Sequence, residues 1–511
     1  MVTARWPCLL LLPLVIGACA KPAHAPTGLE TLERQVKEFK LANGLRFVLV
    51  ERHDAPVFSF QTVVNAGSAD NAPGTTGLAH MMEHMAFKGT PWVGTRDHAA
   101  ETPLLAAEEH AYAALSAERG KGARADTARL RKLQGDFASV ETALAASVES
   151  EEFTRILERA GARDVNAFTS SDVTAYQYSI PSNQLELWAV MEGGRLTHPV
   201  FREFYKEREV VIEERRMSTE SSPFGRLAEA FVSTAFANHP YRYGTIGAPE
   251  DLHAFTRTQG EAFFRQHYVA TNMTVAVVGD VTLADLRKVA QRYFSDIPAG
   301  TPPPPVAATE PPQTQARRKV LEDPAQPIVM MGWHMPACTD PSYPAYQALA
   351  DLLGGGDHAR LQKALVRDRR ISVNEETTVG FPGEKYPSLW GVLSVPAEGV
   401  PPDSVEREVE RVLEDARGAH PITQAELDGY KVRVRAEQLG DVEHNSTLAY
   451  ELSMAQTLHH DWREYFRTQE RVQSLTLADL ASAMHAMFTH GNCTTAMLVI
   501  PAAANSSRGG R

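Results

Sequence analysis

The sequence is poor in cysteine, in clustered positive charge and in long apolar stretches near its start. It has four cysteines in 511 residues: Cys8, Cys19, Cys338 and Cys493. Cys8 and Cys19 lie in the N-terminal segment, and the other two are far apart. No cysteine-based metal site is expected, and Cys338 and Cys493 are expected to be simply buried, although an oxidising compartment would permit a disulfide. No basic cluster with interleaved aromatics occurs, and 51 Lys+Arg against 63 Asp+Glu give a formal charge of -12. Nucleic acid is therefore not an expected partner. The apolar run Leu9 to Ile16 is too short to span a membrane by itself. What remains is a folded chain: 43% hydrophobic and 22% charged residues exclude wholesale disorder. Its length exceeds one ordinary hydrophobic core, so two or more domains are expected.

Arg5 followed by the apolar run reads as a secretory signal. The run ends in Ile16-Gly17-Ala18-Cys19, which resembles a bacterial lipobox, with residues 1–18 removed and Cys19 lipidated. The other reading is a plain signal cut after Ala23-His24-Ala25. Ala20 follows the cysteine, and resemblance to Gram-negative lipoproteins then implies an outer-membrane lipoprotein facing the periplasm, held to the membrane by its lipid. The plain signal implies a soluble periplasmic protein. Residues 19–37 are expected to be a tether.

The fold begins after the tether. Asn43-Gly44 between Phe39–Ala42 and Leu45–Val50 is a hairpin signal. From Val57 to Ala66, Phe58, Phe60, Thr62, Val64 and Ala66 alternate with the other face, as in a half-buried strand. Thr75-Thr76-Gly77 opens a helix that stops near Gly89. Residues 95–152 are rich in Ala, Glu, Arg and Lys, with a break at Arg119-Gly120-Lys121-Gly122. They read as an inserted helical hairpin, a solvated scaffold rather than a site. Strands over Val165–Ile180 precede two helices, about Asn183–Leu196 and Phe201–Phe236, and then a buried strand over Asn272–Val281. A Pro-rich stretch with four prolines from Pro302 to Pro305 marks a linker, residues 298–316. It separates a domain over 38–297 from one over 317–503. In the second, a strand (Gln326–His334) leads into a helix (Tyr343–Leu353), loosely repeating the first plan. Strands and helices do not alternate strictly, so each domain is expected to be α+β.

The chemistry lies in His80-Met81-Met82-Glu83-His84. On a helix, His80 and His84 share one face and both imidazoles reach one ion. Glu83 sits beside that face, placed to take a proton from water that a zinc ion activates. A catalytic zinc needs a third protein ligand. In Glu207-Arg208-Glu209-Val210-Val211-Ile212-Glu213-Glu214, a helical pattern puts Glu207 and Glu214 on one face and turns Glu213 away by about 100°.

His-x-x-Glu-His followed by Glu-Arg-x-Val-x-x-Glu-Glu resembles the pitrilysin/insulinase-type zinc peptidases, the inverzincins. Within them the chain is most similar to the bacterial branch related to mitochondrial processing peptidase. Further family-like pieces are Phe87-Lys88-Gly89-Thr90, Asn166-Ala167-Phe168-Thr169-Ser170 with Thr174 and Tyr176, His239-Pro240-Tyr241, and Asn272-Met273-Thr274. The resemblance implies one Zn2+ per chain, held by His80, His84 and Glu214, with Glu83 as general base and Glu207 as the supporting carboxylate. It implies two homologous α+β domains, each a mainly antiparallel sheet packed with helices, enclosing a peptide chamber. Asn166, Ala167 and Phe168 would lie on an edge strand that pairs with unfolded peptide substrates. The implied activity is that of a zinc endopeptidase; the alternative is a peptide-binding or scaffold subunit of a related complex. One departure limits the likeness. Members often carry an Arg and a Tyr, seven apart, in the non-catalytic domain, where this chain has Val366 and Val373. A homologous subunit is expected to supply the missing pair; a homodimer is the other form of partner.

Overall fold

The computed structural model describes residues 28–501; the signal, the lipobox-like Cys19 and the end of the chain beyond residue 501 lie outside it. The first half supplies β1 (Lys37–Lys40), β2 (Arg46–Glu51), β3 (Val57–Val64), β4 (Arg163–Thr169), β5 (Thr174–Pro181) and β6 (Met273–Gly279). The second supplies β7 (Arg317–Glu322), β8 (Ile328–Met335), β9 (Ser372–Phe381), β10 (Ser388–Pro396) and β11 (Cys493–Val499). The sheets run β1-β2-β6-β3-β5-β4 and β7-β11-β8-β10-β9. Each contains a single parallel pair, β2 with β6 and β7 with β11, and every other pairing is antiparallel. Removing β1 leaves two sheets of identical order, which turns the loose repeat in the sequence into a structural duplication.

Helices in the first half are α1 (Gly28–Gln35), α2 (Leu78–Met85), α3 (His98–Arg119), α4 (Thr127–Ser147), α5 (Glu152–Arg159), α6 (Leu185–Thr197), α7 (Phe204–Arg215), α8 (Pro223–Ala235), α9 (Pro249–Ala254), α10 (Arg257–His267) and α11 (Leu283–Tyr293). Two expectations need correction here. Residues 28–35 are not tether but helix, because Leu32 buries against Val48, Val50 and Trp462. The single helix expected over Phe201–Phe236 is two. α7 runs into a π-helical turn, Arg216–Glu220, and α8 restarts at Pro223, with Ser222 capping the Gly225 N–H at 3.1 Å. Proline has no N–H to continue the ladder and is favoured at a helix start.

The two halves exchange helices. From the first half, α8 lays Leu227, Phe231, Val232 and Ala235 against Met330, Leu389, Ala496 and Leu498 of the second sheet. From the second half, the helix Asn445–His459 lays Leu448, Ala449 and Leu452 against Val48, Val50, Ala276 and Val278 of the first. Each such fully buried aliphatic or aromatic side chain contributes about 1.5–3 kcal/mol relative to exposure. Each sheet is thus packed with helices, one of them contributed by the opposite half. The Pro-rich stretch is also more than a spacer: residues 298–314 have no regular structure, yet Glu310 accepts the N–H groups of Ala237, Asn238 and His239. Cys338 and Cys493 are buried free thiols, each pushed up to about 12, mainly by burial.

Candidate metal centre

Helix α2 carries both histidines, and its start is fixed by backbone chemistry. Gly77 has φ +98°, and a Cβ there would lie 2.3 Å from the Ile246 carbonyl oxygen, so only glycine fits. Asn71 Oδ1 accepts the Ala79 N–H at 3.0 Å, and Asp251 accepts both the N–H and the hydroxyl of Thr76. Met81, Met82 and Met85 are buried beneath the helix. The imidazoles therefore leave α2 on one side, with ring centroids 4.8 Å apart.

Helix α7 crosses that side. Glu214 approaches both rings, 3.6 Å from His80 Nε2 and 3.4 Å from His84 Nε2. One donor atom from each of His80, His84 and Glu214 lies within 4.8 Å of the others. A tetrahedral zinc with bonds of about 2.0–2.1 Å spaces its ligands about 3.4 Å apart, so the donor set fits. The 3.6 Å separation is too long for a hydrogen bond, and the other nitrogen, His80 Nδ1, is buried without a partner. His80 Nε2 thus faces the Glu214 carboxylate at 3.6 Å without a hydrogen bond between them, as two ligands of one ion would. Burial, helped by the charge of His84, lowers His80 to about 4, which keeps it neutral and ligand-competent.

The surroundings orient these groups. His84 Nδ1 is 2.9 Å from Glu207 Oε1, and Lys88 Nζ is 2.5 Å from Glu207 Oε2. Burial would raise Glu207, but its bonds to His84 and Lys88 prevail and hold it at about 2. Burial would lower His84, yet Glu207 and Glu214 hold it at about 9. Glu83 is raised, mainly by burial, against the opposing hydrogen bond of Thr169, whose hydroxyl donates to Glu83 Oε2 at 2.7 Å.

Beside the cluster is a cleft of about 300 Å³, lined by Glu83, His84, Lys88, Glu207 and, from β4, Val165, Asn166 and Ala167. β4 is the edge of its sheet, paired only to β5. Asn166 and Ala167 thus meet the cleft, whereas Phe168 packs its ring against the second half, 6.2 Å from the ring of Tyr450. The far wall is Val148 to Thr154, the return of the inserted hairpin. That hairpin packs against the rest of the first half: Tyr112 stacks on Tyr205 of α7 at 4.0 Å, and Glu101 pairs with Arg202 at 2.7 Å. No residue of the second half lines the cleft. Val373 is exposed, and Arg369 is engaged by Glu408. Lys88 and Thr169 were readable only as family-like pieces, since their contacts with Glu207 and Glu83 are made across the fold.

Known proteins resemble this chain over most of its length. Residues 46–114 and 144–249 match the profile described as Insulinase (Peptidase family M16), and residues 254–433 match the Peptidase M16 inactive domain. The unmatched interval between 114 and 144 falls in the α3–α4 hairpin. The chain is 27% identical to the zinc protease PqqE of Helicobacter pylori, over 90% of this chain and 91% of that one. It is 23% identical to an uncharacterised zinc protease of Mycobacterium leprae, over 87% of each. Among solved structures, a protease from Helicobacter pylori superposes with a TM-score of 0.76 at 24% identity, covering 91% of this chain and 99% of that one. The periplasmic protease PqqL of Escherichia coli superposes at 0.67 and 18% identity, covering 92% of this chain but 48% of its own.

Proposed function

The chain belongs to the M16 insulinase peptidase family, and from that premise we propose that it is a zinc-dependent endopeptidase acting on unfolded peptides. The observation that carries this reading is the convergence of His80, His84 and Glu214 beside Glu83, at a cleft bounded by a free strand edge. His80, His84 and Glu214 hold the ion. When bound, zinc polarises the scissile carbonyl and acidifies water. Glu83, whose pKa burial raises, takes the proton from the attacking water and returns it to the leaving amine. Glu207 holds His84 in its ligating orientation. The outer edge of β4 pairs with the peptide backbone at Asn166 and Ala167, which selects extended chains over folded ones.

Replacing Glu83 by Gln tests this directly. Cleavage of an unstructured peptide should fall by about 100-fold or more while one zinc per chain is retained. Cleavage that survives the change sinks the mechanism. A wild-type protein that binds zinc and peptide without cutting would support the scaffold reading instead.

A second chain belongs to the same proposal. The cleft takes no residue from the second half, and one copy of this chain matches about half of PqqL. A second copy or a homologous subunit therefore faces the cleft and supplies the groups that Val366 and Val373 lack. Activity of the purified chain should rise when such a subunit is added. The envelope location that the signal and the lipobox-like Cys19 imply remains part of this proposal; no helix among the described residues is long and apolar enough to cross a membrane, and PqqL is a periplasmic protease.

A further inference from the structure

The joint between the two halves lies at the turn that ends β4. Asp172, 4% exposed, sits in the Ser170–Val173 turn between β4 and β5. All of its carboxylate partners come from outside the turn. Tyr241 OH donates to Oδ1, while the N–H groups of Glu384 and Lys385 donate to Oδ2 at 2.6 and 3.1 Å. Tyr241 OH in turn accepts the Tyr386 N–H at 3.2 Å. The backbone loop of 383–386, in the second half, thus grips a carboxylate of the first. No slack is left on either side. A Cβ on Gly383 would meet Tyr241 OH at 2.6 Å and Asp172 Oδ2 at 2.7 Å. A Cβ on Gly67 would meet Asp172 N and Ser171 C at 2.5 Å on the opposite face.

Three residues before Asp172 is Thr169, the last residue of β4 and the hydrogen-bond donor to Glu83. Its hydroxyl is also 3.4 Å from that of Thr174, which donates to the Ala66 carbonyl at 3.0 Å. The turn therefore sets where the Thr169 hydroxyl stands; the N–H groups of Ser68 and Ala69 hold its Ser170 and Ser171 carbonyls from the first half, at 3.0 and 2.9 Å, and the 383–386 loop of the second half holds its one carboxylate. We propose that Asp172 is a positioning residue through which the second domain, by its 383–386 loop, fixes Thr169 and hence the orientation of Glu83. The inference rests on the reading of Glu83 as the base. It gives the second domain a share in the chemical step that its sequence, without a metal motif, does not announce.

The test is a double-mutant cycle on the full-length zinc-loaded protein, with Thr169→Val and Gly383→Ala as the arms. Each alone should lower kcat by roughly 10- to 100-fold, with KM little changed and zinc content intact, because a base misplaced by a fraction of an ångström is what each produces. Combined, they should do no more than the worse of the two, and Thr169→Ser should restore activity in the single variant. If the two losses multiply, or if Gly383→Ala raises KM alone, the joint is structural and the proposal fails. Should Gly383→Ala not fold, Asp172→Asn takes its place in the same cycle under the same criteria. Glu83→Gln is measured alongside. If it retains activity, the base assignment is at fault; if it is inactive while both arms cleave like wild type, only the present inference falls.

Discussion

Single residues in this protein are set by what surrounds them, and Glu375 on β9 shows this away from the metal centre. It is 6% exposed, both carboxylate oxygens lack a partner, and Gly354 is pressed against it. Burial, helped by the charge of Glu376, raises it to about 8. Its unfolded value is the ordinary 4.5, so the folded state binds the proton more tightly. The associated stability is complete below about pH 4.5 and is lost as pH rises through about 8. Glu375→Gln removes that dependence. Its unfolding free energy should exceed that of wild type by an amount that grows between about pH 5 and about pH 8, reaching on the order of 2–4 kcal/mol. Denaturation curves across that range check it, and a difference independent of pH refutes it. Glu375 carried no mark in the sequence, since nothing about a glutamate in a strand announces that its partner is missing. His80, Glu83 and His84 were legible for the opposite reason: their relation is fixed by helical spacing alone. Glu214 was legible only as one of several glutamates until the family likeness chose it; α7 brings its carboxylate to 3.6 Å from His80 Nε2 and 3.4 Å from His84 Nε2.

At the scale of elements, the sequence revealed strands and helices wherever periodicity was strong and where glycine and proline punctuated it. The Asn43-Gly44 hairpin, the His helix and the α3–α4 pair all stand close to where their patterns put them. The pattern of α3 could not say what it rests on. Its acidic residues read as solvated, yet Glu101, Glu108 and Glu118 are buried, the first two against Arg202 and Arg257. The hairpin therefore bears on α7, the element that delivers Glu207 and Glu214. Glu101→Ala leaves Arg202, 1% exposed, without its countercharge, and should cost about 3–5 kcal/mol of stability. Urea unfolding measures this. A loss under about 1 kcal/mol would mean that the carbonyls of Lys88, Thr90 and Val93, which Arg202 also bonds, suffice by themselves.

For the whole molecule, the decisive feature is one that periodicity cannot encode: which sheet a helix covers. Nothing in the pattern of α8 or of the helix Asn445–His459 names a sheet, and both serve the half to which they do not belong. Residues 28–300 expressed alone should therefore expose Val48, Val50, Ala276 and Val278, bind a hydrophobic dye and aggregate. Co-expression with residues 301–501 should restore a soluble, zinc-binding complex. If the first fragment is soluble and cooperative by itself, the exchanged helices are ornament to two independent cores. The same exchange governs how the protein is made. Trp462 Nε1 donates to Glu38 Oε2 across 424 residues of chain, so the first sheet stays half-clad from its own completion until almost the last helices emerge. Synthesis of this chain thus carries a long interval in which a sticky surface waits for its cover.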